Sequence, residues 1–431
     1  MKILHLAWRN IISNPLNLLM SVVLFGLGVG LISFLLLFNT QLKDKFDKNL
    51  AEIDLVVGAK GSPLQMILCN MYHIDNPTGN ISIKNATPLL RDLHPLIKKA
   101  IPLSLGDNYK SYRIVGTNHD IVDLYGGKLK EGVLWKKDFE VTIGQAVANE
   151  TGLKIGDKFV SSHGFVADDH AHDEHAFVVA GILQGTGTVM DQLILTNTAT
   201  IWLVHEHGAA SEDDAATTDT IDTHAGHDHG AHADHTHDNS NEDLLHHPEQ
   251  EITSVLIQYK NRTNFQALNF GRNINENTEM QAASPAIEIN RLYNMIGVGT
   301  DMLQTLAILI AIVSALSIFI SLFKSMRERR YELALIRVMG AGRAKVFGLI
   351  ILEGLILALI GFVIGSALCH IGMETMATYL KEDFRYSFTG WMWISEEWLV
   401  LGISLVLGFV AALLPAFQAA KTDINKTLSQ K

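Results

Sequence analysis

Four apolar stretches dominate this 431-residue sequence, and each is long enough to cross a membrane. A membrane-spanning helix needs about 20 mostly apolar residues. The predicted spans are residues 16–39, 301–323, 346–370 and 398–418. The first is longer than the apolar region of a signal peptide, and no small-residue cleavage site follows it. We therefore predict that it is a retained anchor.

Basic residues predict the orientation, because Lys and Arg are enriched in short loops on the cytoplasmic side of a membrane. They cluster in residues 324–345 and also occur in residues 1–15 and 419–431. These three segments are predicted to be cytoplasmic, the first as an amphipathic helix on the membrane surface. Residues 40–300 and the short loop 371–397 then lie outside. Both termini are then predicted to lie inside and the large domain outside.

Residues 40–300 predict an α+β domain. Runs rich in β-branched residues, bounded by Gly and Asn, predict strands at Leu55–Val57, Tyr112–Val115 and Phe177–Ile182. A helix is predicted at Gln145–Thr151. The fold class is therefore membrane α-helical, with four transmembrane helices and an α+β extracytoplasmic domain inserted between helices 1 and 2.

Residues 205–251 are rich in histidine and acidic residues and contain no Lys or Arg. This pattern predicts a disordered insertion between strands at 193–204 and 252–259. Residues 168–175 have the same character. The candidate metal ligands are His170, His172, His175, His224, His227, His229, His232, His235 and His237.

Neutral imidazole is a common ligand for zinc and other transition metals. The histidine tract lacks the rigid ligand spacing of a structural zinc site, so we predict loose contact with zinc or a similar metal. A solvated acidic loop without metal is one alternative, and a pH-sensing loop is another.

Several function classes are disfavoured by the sequence. A net charge of -11 argues against nucleic acid as a partner, because phosphate binding needs basic patches. The chain has no G-x-x-x-x-G-K-[ST] motif for nucleotide phosphates and no HExxH-type or nucleophile motif. We predict a non-catalytic membrane subunit with no intrinsic cofactor, in contact with membrane lipid.

Sequence blocks at the cytoplasmic side resemble the FtsX/MacB-type permease family. Residues 329–341 read Arg-Arg-Tyr-Glu-Leu-Ala-Leu-Ile-Arg-Val-Met-Gly-Ala, and the next span carries Glu353-Gly354. The last span closes with a Pro-Ala-x-x-Ala-Ala ending at residues 415–420, and Ala7–Asn10 is similar to the family's start.

Blocks in the external segment are similar to the periplasmic core domain of MacB-like permeases. They are Val115–Thr117, Glu131-Gly132, Gly144–Ala148, Gly152–Asp157 and residues 185–191, in that order. The resemblance implies a dimer with a second permease copy or a paralogue. It also implies a separate cytoplasmic ABC ATPase that carries the ATP, since this chain has no fused ATPase. The location that the resemblance implies is the bacterial cytoplasmic (inner) membrane, with the large domain in the periplasm.

The resemblance places the contact with the ATPase in the loop after the second span. The implied ATPase-coupling residues are Arg327, Arg330, Glu332, Arg337, Gly340 and Ala341. Simple charge anchoring of the membrane topology is the alternative for the basic residues. Glu353 is a carboxylate inside a span, which makes it a functional candidate by default. Its alternative role is structural, paired with an arginine or hydrogen-bonded across the dimer.

The resemblance implies mechanotransmission, in which the ATPase cycle moves the periplasmic domain. The histidine tract adds metal-ion handling or export as a candidate role, with a periplasmic adaptor or metal-binding protein as a candidate partner. The alternatives are a lipoprotein-releasing permease of the same architecture and a signalling scaffold that activates a periplasmic hydrolase.

Overall fold

The computed structural model describes residues 3–12, 15–161, 176–204, 240–384 and 388–421. The chain divides into two compact units. The helical unit comprises Met1–Lys43 and Met295–Lys431, and the α+β unit comprises Asp44–Asn294.

The elements follow one another along the chain as helices at both ends and a mixed segment between them. The helices are α1 (Ile3–Ile12), α2 (Pro15–Leu50), α3 (Pro63–Tyr72), α4 (Ile83–Leu90), α5 (Asp120–Leu124), α6 (Gln145–Thr151), α7 (residues 198–204), α8 (Asn241–Leu245), α9 (Phe265–Asn277), α10 (Pro285–Glu328), α11 (Arg330–Val338), α12 (Arg343–Phe384) and α13 (Glu396–Lys421). The strands are β1 (Leu55–Ala59), β2 (Ile81–Ser82), β3 (Ile97–Tyr109), β4 (Tyr112–Thr117), β5 (Leu129–Gly132), β6 (Glu140–Ile143), β7 (Lys158–Phe159), β8 (Phe177–Leu183), β9 (Ile194–Thr196), β10 (Glu251–Ile252), β11 (Ser254–Tyr259) and β12 (Met280–Ala283).

Four helices, α2, α10, α12 and α13, are long and apolar enough to cross a membrane. Each predicted span lies inside one of them. The helices exceed the predicted spans because charged turns extend them: α2 continues to Leu50 and α12 continues to Phe384. The segment 324–345, predicted as a loop, is mostly helical, since α10 reaches Glu328 and α11 follows almost at once.

Glycines bring α2 and α12 into close contact. A Cβ atom added at Gly365 would lie 2.5 Å from the backbone oxygen of Gly26, and one at Gly30 would lie 2.9 Å from the oxygen of Gly365. A Cβ atom added at Gly361 would lie 2.5 Å from the side chain of Phe25. Both helices thus present glycines four residues apart, which is how membrane helices pack closely.

The α+β unit is built on a ten-stranded mixed sheet with the order β12-β1-β11-β3-β4-β9-β6-β8-β5, in which β7 also pairs with β8. Two pairs are parallel, β4 with β9 and β6 with β8, and the others are antiparallel. A separate two-stranded sheet joins β2 to β10. The predicted strands at 55–57, 112–115 and 177–182 and the predicted helix Gln145–Thr151 are all present.

Two apolar cores cover different parts of this sheet. One includes Leu55, Ile83 and Ile257, and the other includes Ile114 and Phe177. The strands supply much of these cores because they are rich in β-branched residues, whose side chains pack well on a pleated, buried surface.

The predicted strand at 193–204 is only partly correct. Residues 194–196 form β9, but residues 198–204 form the helix α7. The physical reason is Asn197, whose Oδ1 accepts a hydrogen bond from the Thr200 backbone N at 2.7 Å. A side chain that caps the first turn in this way favours a helix over a continued strand.

The predicted disordered insertion at 205–251 extends too far. Residues 240–251 are folded, with α8 and then β10. Leu244 is buried in the first core, and Asn241 Nδ2 donates to the Ala100 oxygen at 2.9 Å. An apolar side chain and a specific hydrogen bond therefore anchor this end. Residues 205–239 lie outside the described residues.

Candidate functional site

The short helix α11 is amphipathic. Leu333 and Ala334 are buried, whereas Tyr331, Leu335 and Val338 are exposed. A helix of nine residues is only marginally stable by itself, so these two buried residues and its end contacts must hold it in place.

The predicted coupling residues lie around this helix. Arg327 is exposed in the last turn of α10, Arg330 and Glu332 are exposed in the first turn of α11, and Arg337 is half-buried in its last turn. The cluster is therefore a largely exposed, mainly basic surface, which we call the α11 surface.

Gly340 ends α11 for a backbone reason. Its φ is +99°, a conformation that favours glycine, and the Ala341 backbone N donates to the Ile336 oxygen at 3.2 Å. The predicted Gly-Ala pair thus forms the turn between α11 and α12.

An apolar groove of about 370 Å³ lies beside this turn. Its lining comes from α1, α11, the turn and α12, and comprises Leu6, Ile336, Met339, Gly340, Ala341, Lys345, Val346 and Leu349. The groove and the α11 surface share the same end of the helical unit.

Glu353 is buried, with only 4% of its surface exposed. Its Oε1 accepts a hydrogen bond from Asn10 Nδ2 at 2.7 Å. The backbone oxygen of Asn10 accepts a second hydrogen bond, from Arg329 Nη2 at 2.9 Å. We call these three residues the Asn10 clamp, since Asn10 on α1 connects Arg329, which precedes α11, with Glu353 on α12.

The dipeptide Glu353-Gly354 divides its contacts between two neighbours. Glu353 meets α1, whereas a Cβ at Gly354 would lie 2.6 Å from the Ala412 Cβ on α13. The glycine therefore allows α13 to approach α12 while the glutamate bonds to α1. Sequence reasoning selected Glu353 but not its partner, because Asn10 is 343 residues away.

A second polar cluster lies toward the other end of α12. Glu397 is 1% exposed, and its Oε2 lies 3.2 Å from His370 Nε2 and 3.5 Å from Ser366 Oγ. The His370 Nδ1 faces the Gly390 oxygen, and Gly390 N donates to Glu374 at 2.8 Å. Sequence reasoning missed this cluster, since Glu397 resembles an ordinary acidic residue at a helix start.

The loop before α13 is also bound to α2. Gln41 Nε2 donates to the Thr389 oxygen at 2.7 Å, and Thr389 N donates back to Gln41 Oε1 at 3.0 Å. This pair of hydrogen bonds fastens α2 to the loop between α12 and α13.

The α+β unit holds one buried thiol, Cys69, close to Arg113. Burial raises the pKa of Cys69 to about 11, against the opposing effect of Arg113. The thiol is therefore protonated at neutral pH and a poor nucleophile. Burial, with a further contribution from Arg113, lowers the pKa of His73 to about 3.

The candidate metal ligands His170, His172, His175, His224, His227, His229, His232, His235 and His237 all lie outside the described residues. Within the described ranges, no group of three or more His, Cys, Asp or Glu side chains is placed to hold a metal ion. The metal interpretation of the tract stays a prediction.

Comparison with known proteins bears on the helical unit. Residues 305–424 match the family model of the FtsX-like permease C-terminal domain. This range contains the α11 surface, Glu353 and the second polar cluster, together with most of α10 and all of α12 and α13. No curated protein matches the sequence of the chain. Residues 305–424 are therefore similar to the C-terminal domain of FtsX-like permeases, and the four long apolar helices fit a multi-pass membrane protein.

Proposed function

We propose that this chain couples a separate cytoplasmic ABC ATPase to movements of its α+β unit, and that the ATPase docks on the α11 surface. The family match supports an ABC-type permease subunit. The observation that carries the docking proposal is α11 itself, a short amphipathic helix with exposed basic side chains that lies within the range matched by the family model.

The charge of the α11 surface supports an acidic partner. Arg327 and Arg330 are exposed, and Arg343 and Lys345 are exposed at the start of α12. Complementary charges increase the rate of association and select among partners. The exposed Val338 and Met339 add apolar contact area next to the basic side chains.

The chain connections between the two units support transmission of movement. Both connections lie inside helices, since α2 contains the boundary near residue 43 and α10 contains the boundary near residue 294. A helical connection is stiffer than a flexible linker. We propose that displacement at the α11 surface reaches the α+β unit through these two helices.

The proposed assembly contains two permease chains, either two copies or a pair of paralogues, in the bacterial inner membrane. The α+β unit would lie in the periplasm, because the α11 surface is basic and basic loops stay in the cytoplasm. ATP is bound and hydrolysed by the partner.

Metal handling is the proposed role of the histidine tract, as a site for cargo or regulation on the periplasmic side. The described residues that flank the tract contact one another. Trp202 Nε1 donates to the Glu251 oxygen at 2.7 Å, and the Trp202 ring contacts His247. The described residues on either side of the tract are therefore held together.

The test is co-purification from the native membrane with tagged wild-type chain and the Arg330→Glu variant. We expect an ATPase with nucleotide-binding motifs to co-purify with the wild type. Charge reversal at Arg330 should lower its recovery about tenfold, which corresponds to about 1.4 kcal/mol of binding free energy.

Arg91→Glu is the matched control, because Arg91 is an exposed arginine in the α+β unit. Its recovery of ATPase should equal that of the wild type. Equal recovery with Arg330→Glu would show that the basic residues only anchor the topology. Absence of any ATPase from the wild-type preparation would contradict the proposed function.

A further inference from the structure

We propose that the Asn10 clamp positions α11, so that displacement of α11 is passed to α12 through the N-terminal helix α1. Asn10 would act as a positioning residue with no contact to nucleotide or cargo. This inference rests on the proposed function, because it takes α11 as the element on which the ATPase acts.

The contacts of Asn10 form one path between two elements. Its backbone oxygen accepts a hydrogen bond from Nη2 of Arg329 at 2.9 Å, and Arg329 is the residue just before α11. Its side chain donates to Glu353 at 2.7 Å, ten residues into α12. A single residue of α1 therefore forms one hydrogen bond with the residue that precedes α11 and one with α12.

Burial strengthens the hydrogen bond between Asn10 and Glu353. Only 4% of Glu353 is exposed, so water competes weakly for its carboxylate. A hydrogen bond to a charged group is stronger than one between neutral groups, and it strengthens further away from water. Loss of the Asn10 amide would leave this carboxylate with less compensation.

Two residues of α11, Leu333 and Ala334, are buried. In contrast, α1 is held firmly in the helical core by Ala7 and Ile11, which are 0% and 8% exposed. Fixing α11 to α1 thus fixes it to the body of the bundle.

The Asn10 clamp borders a small cavity. The cavity has a volume of about 30 Å³ and is lined by Asn10, Ser321, Ser325 and Glu353 among others. Arg329 Nη1 is buried and has no hydrogen-bond partner among the described residues. A buried donor without a partner is costly, so the guanidinium gains from a new contact when α11 shifts.

The experiment uses the wild-type complex with its ATPase and four variants of the clamp. Asn10→Asp places a second carboxylate against Glu353. Glu353→Gln keeps a neutral acceptor for Asn10. The double variant Asn10→Asp with Glu353→Gln restores one N–H···O bond with its direction reversed. Asn10→Ser shortens the side chain without adding charge. Asn76→Asp, at an exposed position of the α+β unit, is the matched control.

The readouts are the amount of co-purified ATPase and its hydrolysis rate relative to the ATPase alone. We expect Asn10→Asp and Asn10→Ser to retain the ATPase but to lower the stimulated rate about fivefold or more, the usual size of a coupling effect. The double variant should return to within about twofold of the wild type, because directly contacting residues are not additive. Retained ATPase with a lowered stimulated rate separates loss of coupling from loss of assembly, which would lower the recovery of the ATPase as well.

The outcomes separate the two proposals. Full stimulation with both Asn10→Asp and Asn10→Ser would overturn the clamp while the docking proposal stands. A double variant no better than Asn10→Asp, with both proteins folded by thermal unfolding, would also overturn it. If Asn10→Asp does not fold, the neutral Asn10→Ser decides the question alone. A wild-type preparation without ATPase would contradict the proposed function itself, and the clamp proposal with it.

Discussion

The two units of this chain bury their interiors by different means. In the helical unit, glycines on α2 and α12 let the backbones approach to contact, and a few buried polar residues such as Glu353 and Glu397 bond across helices. In the α+β unit, a ten-stranded sheet pairs the backbone groups, and buried side chains such as Trp135 and Phe177 fill the interior. Large buried side chains are not confined to this unit, since Phe25 on α2 is 1% exposed.

This difference follows from the two solvents that the units are built for. Lipid gives no hydrophobic drive between helices, so close backbone packing and hydrogen bonds hold a membrane bundle together. Water drives large apolar side chains into a core. The small residues of the bundle are visible as sequence blocks, and the family match falls there, at residues 305–424. The mixed core of the α+β unit can be built from many sequences.

The largest loss of stability is expected when a large buried side chain is removed from the α+β unit. Trp135→Ala should lower the free energy of unfolding by about 3–5 kcal/mol, because it leaves a cavity around a fully buried ring. Chemical unfolding of the full chain in detergent measures this. Phe265→Ala, at a side chain that is 77% exposed, is the control and should change stability little. Equal losses would refute the burial argument.

Adding one methyl group should harm the helical unit where glycine makes contact. Gly365→Ala should cost about 1–3 kcal/mol, since the new Cβ meets the Gly26 backbone at 2.5 Å. Gly372 lies on the same helix with nothing within 4 Å of its Cβ position, so Gly372→Ala should be neutral or stabilising. Thermal unfolding in detergent compares the two, and equal melting temperatures would contradict the glycine contact.

A pH titration should act on the α+β unit through His73. Burial lowers the pKa of His73 to about 3 from an ordinary 6.5, so between these values the unfolded chain binds the proton and the folded chain does not. Stability should therefore be complete above about pH 6.5 and fall by about 1 kcal/mol per pH unit below it.

His73→Asn isolates this effect, because asparagine tolerates the left-handed backbone of residue 73, where φ is +52°. The variant should show a shallower loss of stability between pH 6.5 and pH 5. An identical slope in both proteins would show that other groups carry the pH dependence.

The smallest expected effect on stability is deletion of the histidine tract. Removing residues 206–239 from the full chain should leave the melting temperature nearly unchanged, because the folded flank at 240–251 is kept. Zinc titration by calorimetry should show weak, multiple binding to the wild type that is reduced in the deletion, which keeps only His170, His172 and His175 of the candidate ligands. Equal zinc binding by both proteins would remove the tract from the site, and no binding by either would end the metal interpretation.

The sequence was most informative where length and composition alone decide the structure. The four spans follow from uninterrupted apolar runs, and β1, β4 and β8 follow from β-branched runs between turn residues. The helix at 198–204 could not be foreseen from Trp202 and its apolar neighbours, because a capping contact from Asn197 decides it.

The polar contacts of the candidate site were less predictable. Glu353 was noticeable as a charge within a span, but nothing local indicates that its partner is Asn10. Glu397 was missed because its burial depends on His370, which lies 27 residues earlier. Contacts of this kind depend on how helices assemble, and a single sequence carries no direct signal of it.

The most direct test of the central claim is a distance measurement between the two units during the ATPase cycle. Spin labels at Phe265→Cys and Trp391→Cys occupy exposed positions, one in each unit, while the native Cys69 and Cys369 are buried. Pulsed electron resonance on the complex in nanodiscs compares the nucleotide-free state with the state trapped by an ATP analogue. We predict that the distance distribution shifts between the states and that Arg330→Glu abolishes the shift. Identical distributions in a wild-type complex that hydrolyses ATP would contradict the account.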